Sequence, residues 1–252
     1  MNRVYDLIAP VLNAGIAVAL LAVLVFLILG RFYRFWTVLV YVAWELLATL
    51  AFTIADVYSH GTAATTAATR TSAQEWYARL YWTNDVVVDL FRFILVIVLI
   101  YMASEASKRV PVRVLVGLVV AALVLPFVLF HPNFRIVDPS VHIPFPRTSW
   151  FQSTSQLLNF GAALMNLILW ATLLTQKRRD PQILLVSLGL GIVVTGTAFA
   201  YGLRYLLGQR EFSAVGYLFM NLTQLIGWII WCRAFRPATK ARETIDTSVA
   251  SR

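Results

Sequence analysis

The sequence is poor in the residues that usually carry metal, redox or covalent chemistry, with one cysteine, three histidines and three lysines among 252 residues. The single cysteine, Cys232, excludes an intramolecular disulfide and a metal cluster held by cysteine ligands. The histidines, His60, His131 and His142, all fall between the apolar segments, so no two of them can clamp a haem between helices. No lysine lies within an apolar segment, which excludes a retinal Schiff base. We therefore expect neither a metal nor a cofactor.

Catalytic motifs are also missing. The sequence contains no P-loop, no GxSxG and no HExxH pattern. Acidic residues without a nucleophile, a metal-ligand set or a phosphate-binding loop define no reaction. These absences predict a protein that is not an enzyme.

Charged residues are scarce, at only 13% of the chain, whereas 60% of the residues are hydrophobic. Soluble domains contain about 45–50% apolar residues and about a quarter charged residues. Several apolar runs reach or approach the roughly 20 residues that cross a hydrocarbon core of about 30 Å. The composition therefore predicts an integral membrane protein.

The apolar runs predict an all-α fold, a polytopic seven-transmembrane-helix bundle formed by residues 1–236 and followed by a short flexible cytoplasmic tail, 237–252. Most connections between the predicted spans are short. The exceptions are the Thr/Ala-rich segment SHGTAATTAATRTSAQE and the segment HPNFRIVDPSVHIPFPRTSW, which is rich in proline and aromatic residues. The seven spans are predicted at residues 7–30, 35–57, 77–103, 110–130, 151–174, 184–206 and 213–232.

Lysine and arginine residues are distributed unevenly between the two sets of predicted loops. One set, together with the C-terminal tail, carries 13 of the 21, the opposite set carries seven, and Arg92 lies within a span. Because basic loops tend to stay in the cytoplasm, the N-terminus is predicted outside and the C-terminus inside. The formal charge of +9 is then explained by the basic loops that set the topology and by attraction to anionic lipid. No nucleic-acid partner is predicted. The predicted location is the bacterial inner (cytoplasmic) membrane.

The third predicted span carries three ionisable residues, Asp85, Asp89 and Arg92. An ionisable side chain at mid-bilayer costs at least about 2.5–3.5 kcal/mol on insertion scales, so it normally faces other helices and has a partner. The i, i+4, i+7 spacing places the three side chains within about 60° of one helix face. They are therefore predicted to form one polar stripe that faces the bundle interior.

Other predicted spans carry polar stripes of their own. Glu45 and Asp56 share a face of the second span, and Glu45 is predicted at a depth similar to that of Arg92. Tyr201 and Arg204 share a face of the sixth span, and amides mark the fifth and seventh. The predicted ligand-binding or ion-pair core comprises Glu45, Asp56, Asp85, Asp89, Arg92, Gln156, Asn159, Arg204, Asn221 and Gln224.

Two interpretations of this core remain open. In the first it is structural: Asp89 pairs with Arg92, Glu45 or Asp85 satisfies the rest of the guanidinium, and the amides fix the register of the helices. In the second it lines a cavity open to the exterior, because most of the polar positions lie in the outer half or at the centre of the spans. The stripes also hold four acidic side chains but only two arginines. Such a surplus favours a site for a proton, a metal cation or an amine.

Three functions are consistent with this core. The first is a receptor-like sensor with an outward-facing polar cavity centred on the third helix. Because few residues follow Cys232, its signal is predicted to leave through a protein partner in the membrane or at the cytoplasmic face. The second is an accessory or structural subunit of a larger membrane complex. The third is a small proton- or cation-coupled carrier, for which Pro181-Gln182 is similar to the dipeptide of PQ-loop carriers.

Three stretches in the later part of the chain carry a resemblance to a known group. They are LLNFGAALMNLILWATLL, QKRRDPQILLVSLGLGIVVTGTAFAYGLRYL and WIIWCRAFR. Through them, residues 157–236 resemble uncharacterised bacterial seven-helix integral membrane proteins. The resemblance implies a seven-span fold with a short basic cytoplasmic end, and it carries no established activity. The number of spans is also similar to that of rhodopsins, but the Schiff-base lysine of that family is missing.

Overall fold

The computed structural model describes residues 2–30, 32–61, 67–104, 113–114, 116–117, 120–121, 148–174, 180–207 and 209–236. Within these ranges it places all side chains except those of residues 2–7, 56–61, 67–78, 148–150, 152–153, 203–207 and 209–214. The described residues form six long α-helices and one short 3-10 turn, Tyr33–Phe35, and they contain no strand. The helices are α1 (Asn2–Leu29), α2 (Trp36–Gly61), α3 (Ala67–Ala103), α4 (Thr148–Leu174), α5 (Pro181–Leu207) and α6 (Gln209–Phe235).

Each of the six helices contains or contributes to a stretch of 21–25 residues that is long and apolar enough to cross a membrane. The protein is therefore a multi-pass helical membrane protein, as its composition predicts. The stretches coincide with the first, second, third, fifth, sixth and seventh predicted spans. Of the fourth, only residues 113–114, 116–117 and 120–121 are described, and all six are helical. The rest of that span and the tail at 237–252 lie outside the described residues.

Helices α2 and α3 both extend into the segment between their predicted spans. Helix α3 begins at Ala67, well before the predicted start of the third span at Tyr77, and α2 continues to Gly61. Hydropathy locates only the apolar part of a helix, whereas the polar stretch AATRTSAQE is rich in alanine, a strong helix former, and lacks glycine and proline. The Thr/Ala-rich segment predicted as a loop is therefore helical at both of its ends.

Helix α5 begins at the Pro181-Gln182 dipeptide. The Asp180 carboxylate accepts a hydrogen bond from the backbone N–H of Gln182 at 3.0 Å, and its carbonyl accepts one from that of Leu184 at 3.1 Å. Aspartate is a favoured helix cap, and proline suits the first helical position because its missing N–H would have no partner there. The position of Pro181-Gln182 in the sequence is therefore explained by the start of helix α5.

Helix ends meet at one end of the bundle, which we call the Arg34 end. Arg34 forms an ion pair with Asp180 there, at 2.7 Å. The ring of Phe235 lies 5.3 Å from that of Phe35 and 5.5 Å from that of Phe32. Helices α2 and α5 therefore begin at the Arg34 end, and α1 and α6 end there.

Helix α3 also runs towards the Arg34 end. Tyr41, near the start of α2, contacts Arg92 of α3 at 3.0 Å. Farther along α2, the ring of Phe52 lies 6.0 Å from that of Tyr81, which precedes Arg92 on α3. The two helices are therefore antiparallel.

Helix α4 runs in the same direction as α3. Ser155, near the start of α4, lies 3.3 Å from the hydroxyl of Tyr201, near the end of α5. Later on α4, Asn166 packs against Gly191, which lies nearer the start of α5. Helices α4 and α5 are therefore antiparallel, and both α3 and α4 run towards the Arg34 end.

Glycines set the separation of α5 and α6, the pair of helices with the most extensive contact. A methyl group added at Gly227 would lie 2.9 Å from the carbonyl oxygen of Gly189 and against the side chain of Val193. One added at Gly189 would meet the indole of Trp231. Small residues let the two backbones approach closely, and that is a main source of association between helices in lipid.

Gly227→Ala is expected to destabilise this contact, because the added methyl group has no room. Overpacking typically costs about 1–3 kcal/mol, so the thermal unfolding midpoint in detergent should fall. Gly202→Ala is the matched control, since a methyl group there meets nothing within 4 Å and alanine favours a helix by up to about 1 kcal/mol. A midpoint that rises in both variants would contradict this packing.

Candidate functional site

Arg92 lies at the centre of the polar core, and each of its three guanidinium nitrogens donates a hydrogen bond. Nη1 donates to Asp89 Oδ1 at 3.0 Å, and Nη2 donates to Glu45 Oε1 at 3.2 Å. Nε donates to the hydroxyl of Tyr41 at 3.0 Å, and that hydroxyl donates in turn to Glu45 Oε1 at 3.0 Å. The guanidinium thus joins α2 to α3 through two carboxylates and one phenol.

A second half of the core surrounds the hydroxyl of Ser155 on α4. This hydroxyl donates a hydrogen bond to Oδ2 of Asp89 and lies 3.3 Å from Oδ2 of Asp85. Tyr201 of α5 donates to the same Asp85 oxygen at 2.8 Å. Asp89 therefore belongs to both halves, and one network connects α2, α3, α4 and α5. We call these seven side chains the charged network: Tyr41, Glu45, Asp85, Asp89, Arg92, Ser155 and Tyr201.

The sequence places the network on one side of α3. Asp85, Asp89 and Arg92 repeat at four and three residues, so their side chains lie one above the other along a single face. Arg92 and Asp89 are 6% and 1% exposed, whereas Asp85 is only half-buried. Asp85 also lies farther from the Arg34 end than the other two. Asp85 is therefore the most exposed of the three and the one farthest from the Arg34 end.

Aromatic side chains connect the charged network to α6. The ring of Tyr41 stacks on Trp228 at a centroid distance of 5.6 Å and meets Trp231 edge-on at 5.9 Å. The two indoles pack against each other at 5.0 Å, and Trp231 Nε1 donates to the carbonyl of Val186 on α5 at 2.9 Å. The crevice beside these rings, which Leu190 also lines, is too narrow for a water molecule. A displacement of Tyr41 would therefore disturb its ring contacts with α6.

The charge of the network is unbalanced. Three carboxylates, of Glu45, Asp85 and Asp89, surround the single guanidinium of Arg92. With the three carboxyls and the guanidinium ionised, and both tyrosines neutral, the formal charge is −2. Unlike the exposed ion pair of Arg34 and Asp180, three of these groups, Glu45, Asp89 and Arg92, are buried, so an excess of like charge is costly. Such an arrangement can bind a proton or another cation, and it can change its pairing when it does so.

Four other predicted core residues are described by the structure but are not among these seven side chains. Asn159 is buried and donates to the backbone carbonyl of Ser155 at 3.0 Å. Asn221 donates to Asn13 Oδ1 at 3.0 Å and so links α6 to α1. Gln156 and Gln224 are half-buried and take no part in the hydrogen bonds of the network. The side chains of two further residues lie outside the described part of the structure: Asp56 and Arg204.

Two members of the network are not singled out by the sequence pattern, Tyr41 and Ser155. Each precedes a predicted core residue by one helical turn, since Tyr41 lies four residues before Glu45 and Ser155 four before Asn159. That i, i+4 relation is the signal that identifies them. It is weak, because hydroxyl side chains are common in membrane helices and often bond only to their own backbone, as Thr49 and Thr53 do here.

The described side chains contain no group of three histidine, cysteine or acidic residues arranged to hold a metal ion. Comparison with protein-family models, with curated proteins and with solved structures finds no match for this chain. The resemblance of residues 157–236 to bacterial seven-helix proteins stays a prediction. The site is therefore interpreted from its own geometry.

Arg92→Leu is expected to lower the free energy of unfolding by about 3–5 kcal/mol, because it leaves buried carboxylates without their cation. Equilibrium unfolding in mixed micelles measures this loss. Arg34→Leu is the matched control: it breaks an exposed ion pair with Asp180, which is worth about 0–1 kcal/mol. Equal losses in the two variants would show that Arg92 is not the stabilising centre of the network.

Proposed function

We propose that the protein is a non-enzymatic, receptor-like sensor of a bacterial inner membrane, with seven transmembrane helices. Its stimulus acts on a polar site that faces outwards and is centred on α3. Its signal passes to a partner protein in the membrane or at the cytoplasmic face. The lines of support are the directions of the helices, the placement of basic residues and the course of the charged network.

Helix directions support a seventh span. Helices α1, α3, α4 and α6 run towards the Arg34 end, and only α2 and α5 run away from it. Because a chain reverses its direction at each crossing of a membrane, the residues that join α3 to α4 must return to the opposite end. Residues 110–130 are apolar and long enough for that crossing.

The placement of basic residues supports a cytoplasmic Arg34 end. The loops and tail predicted on that side carry 13 lysine and arginine residues against seven on the opposite side, and basic residues favour the cytoplasm. Arg233, exposed in the last turn of α6, also lies there. In this orientation Asp85 lies in the outer half of the membrane.

The observation that carries the sensor proposal is a series of contacts from Asp85 to the paired indoles of α6. It leads from Asp85 through the Ser155 hydroxyl to Asp89, from Asp89 to Arg92, from Arg92 to the hydroxyl of Tyr41, and from the ring of Tyr41 to the indoles. Trp231 lies one helical turn before Phe235, whose ring contacts Phe35 at the Arg34 end. Chains of packed side chains and hydrogen bonds of this kind carry coupling between distant sites.

A proton-coupled carrier is a second candidate, because Asp85, Ser155 and Asp89 form a run of oxygen atoms suited to proton transfer. The series continues beyond Tyr41 through aromatic rings, however, and the crevice beside them admits no water molecule. Such a course suits the transmission of a conformational change better than the movement of an ion. We therefore place the sensor first.

Asp85→Asn is expected to change the reactivity of Cys232, because it removes a charge at one end of the series. Cys232 lies half-buried on α6, and its thiol bonds to the Ala19 carbonyl at 3.5 Å. Coupling energies between sites are typically about 1–3 kcal/mol, or about 5- to 150-fold, so the rate of thiol alkylation in proteoliposomes should change by about fivefold or more.

Thr53→Val is the matched control for this measurement, since the exposed Thr53 hydroxyl bonds only to the carbonyl of Thr49 on its own helix. The control should alkylate at the wild-type rate. An Asp85→Asn variant that stays folded and also alkylates at the wild-type rate would contradict the sensor. A proton flux that wild-type proteoliposomes show and this variant lacks would favour the carrier instead.

A further inference from the structure

The hydroxyl of Ser155 has more oxygen neighbours than it has hydrogens to share. It contacts Oδ2 of Asp89, Oδ2 of Asp85 and the hydroxyl of Tyr201. A serine hydroxyl supplies one hydrogen and two acceptor positions. Since Tyr201 directs its own hydrogen to Asp85 at 2.8 Å, the four oxygen atoms hold only two hydrogens when both carboxyls are ionised.

One added proton completes these contacts. With the Ser155 hydrogen directed to Asp89, the 3.3 Å approach of Asp85 to Ser155 is a close contact of two oxygen atoms without a hydrogen between them. A protonated Asp85 carboxyl would donate to Ser155 across that gap. A protonated Asp89 carboxyl would instead donate to Ser155, which is then free to donate to Asp85. The geometry suits a proton on either side of the serine.

The charges around the two carboxyls favour the same conclusion. Helix α2 contributes Tyr41 and Glu45, both of which face Arg92. Helix α3 contributes Arg92 itself, α4 contributes the uncharged Ser155 and Asn159, and α5 contributes the Tyr201 hydroxyl. The only cation of the network is thus already shared with Glu45, and two carboxylates held on one hydroxyl normally cannot both ionise.

A separate observation comes from Asn159, which lies one helical turn after Ser155 and is 1% exposed. Its side chain interacts with the Asp89 carboxyl. Its Oδ1 atom has no hydrogen-bond partner among the described residues, although it is fully buried. A buried amide oxygen without a donor costs about 1–3 kcal/mol. An additional hydrogen-bond donor at this point of the network would lower that cost.

We propose that Asp85 and Asp89 bind one proton and share it through the Ser155 hydroxyl. This inference deepens the sensor proposal and rests on it only in that the proton would be the stimulus. The proton reaches the half-buried Asp85 from the outer side. It passes to Ser155 Oγ as the Ser155 hydrogen passes to Asp89, so one O–H bond forms for each that breaks, and release follows the same steps in reverse.

Transfer to Asp89 has a defined consequence for the charged network. A neutral Asp89 no longer holds Arg92 by an ion pair, so the guanidinium keeps Glu45 and Tyr41 as its remaining partners. Arg92 is then drawn towards α2. Because Arg92 bonds to Tyr41 and Tyr41 stacks on Trp228, this movement of Arg92 changes the contacts of α6.

Infrared absorption of the reconstituted full chain tests the shared proton, since a protonated carboxyl absorbs at a different frequency from a carboxylate. At neutral pH the wild type should show one carboxylic acid band that shifts in D2O. Because the proton is shared, both Asp85→Asn and Asp89→Asn should remove or shift that band. Ser155→Ala should shift it, because the bridging hydroxyl is lost. Asp180→Asn, which removes a carboxylate outside the charged network, is the control and should leave the band in place.

Three results would overturn the proposal. One is the absence of any carboxylic acid band in the folded wild type at neutral pH. Another is a band that responds to only one of the two aspartate variants, which would place the proton on a single residue. The third is a band that disappears on addition of sodium chloride at fixed pH, since the site would then hold a metal cation.

The infrared result and the Cys232 result are independent of each other. A shared band together with a Cys232 alkylation rate that does not change in Asp85→Asn would support the proton site and overturn the sensor. A changed alkylation rate without the band would support the sensor and overturn the proton as its ligand.

Discussion

The structure depends on keeping one guanidinium charge inside a bundle of apolar helices. An isolated arginine at mid-bilayer is costly, and Arg92 avoids that cost by directing all three of its nitrogens to oxygen acceptors. Those acceptors lie on α2 and on α3 itself, so the two helices cannot shift past each other without exposing the charge. The requirement to pair one cation therefore fixes the register of neighbouring helices, in a region where apolar side chains alone would allow them to slide.

The same requirement does not account for every charge of the network. Pairing of Arg92 alone would need one carboxylate, yet three lie within the network. The excess is concentrated at Asp85 and Asp89, on the side of Arg92 that lies away from the Arg34 end. A structure built only for stability would replace such a set by apolar side chains at little or no loss. An excess that persists beside an aromatic path to α6 is better explained by a site whose pairing changes.

Sequence alone predicts the membrane class and the six described spans, because apolar runs report directly on the length of a crossing. The face shared by Asp85, Asp89 and Arg92 is also predicted, since helical periodicity fixes which residues lie above one another. Periodicity cannot say which helix faces which. For that reason the pattern does not identify Tyr41 or Ser155, whose roles depend on the rotation of α2 and α4 about their own axes.

Other features are not predicted from the sequence, for different physical reasons. Hydropathy does not detect the polar start of α3, although its alanine content favours a helix. The close approach at Gly189 and Gly227 depends on two helices meeting at one depth, and glycine is frequent in membrane helices for many reasons. The predicted span at residues 110–130 is the reverse case: its apolar residues predict a crossing, most of it lies outside the described residues, and the parallel directions of α3 and α4 are the reason that we propose it.

The central claim is that Glu45 and Asp89 hold one guanidinium jointly, from two helices. A double-mutant cycle of Glu45→Gln and Asp89→Asn, followed by equilibrium unfolding in mixed micelles, tests it most directly. If each carboxylate compensates for loss of the other, the double variant should lose more stability than the sum of the single variants, by at least about 0.5 kcal/mol. Strictly additive losses would contradict the claim, because the two carboxylates would then act on Arg92 independently.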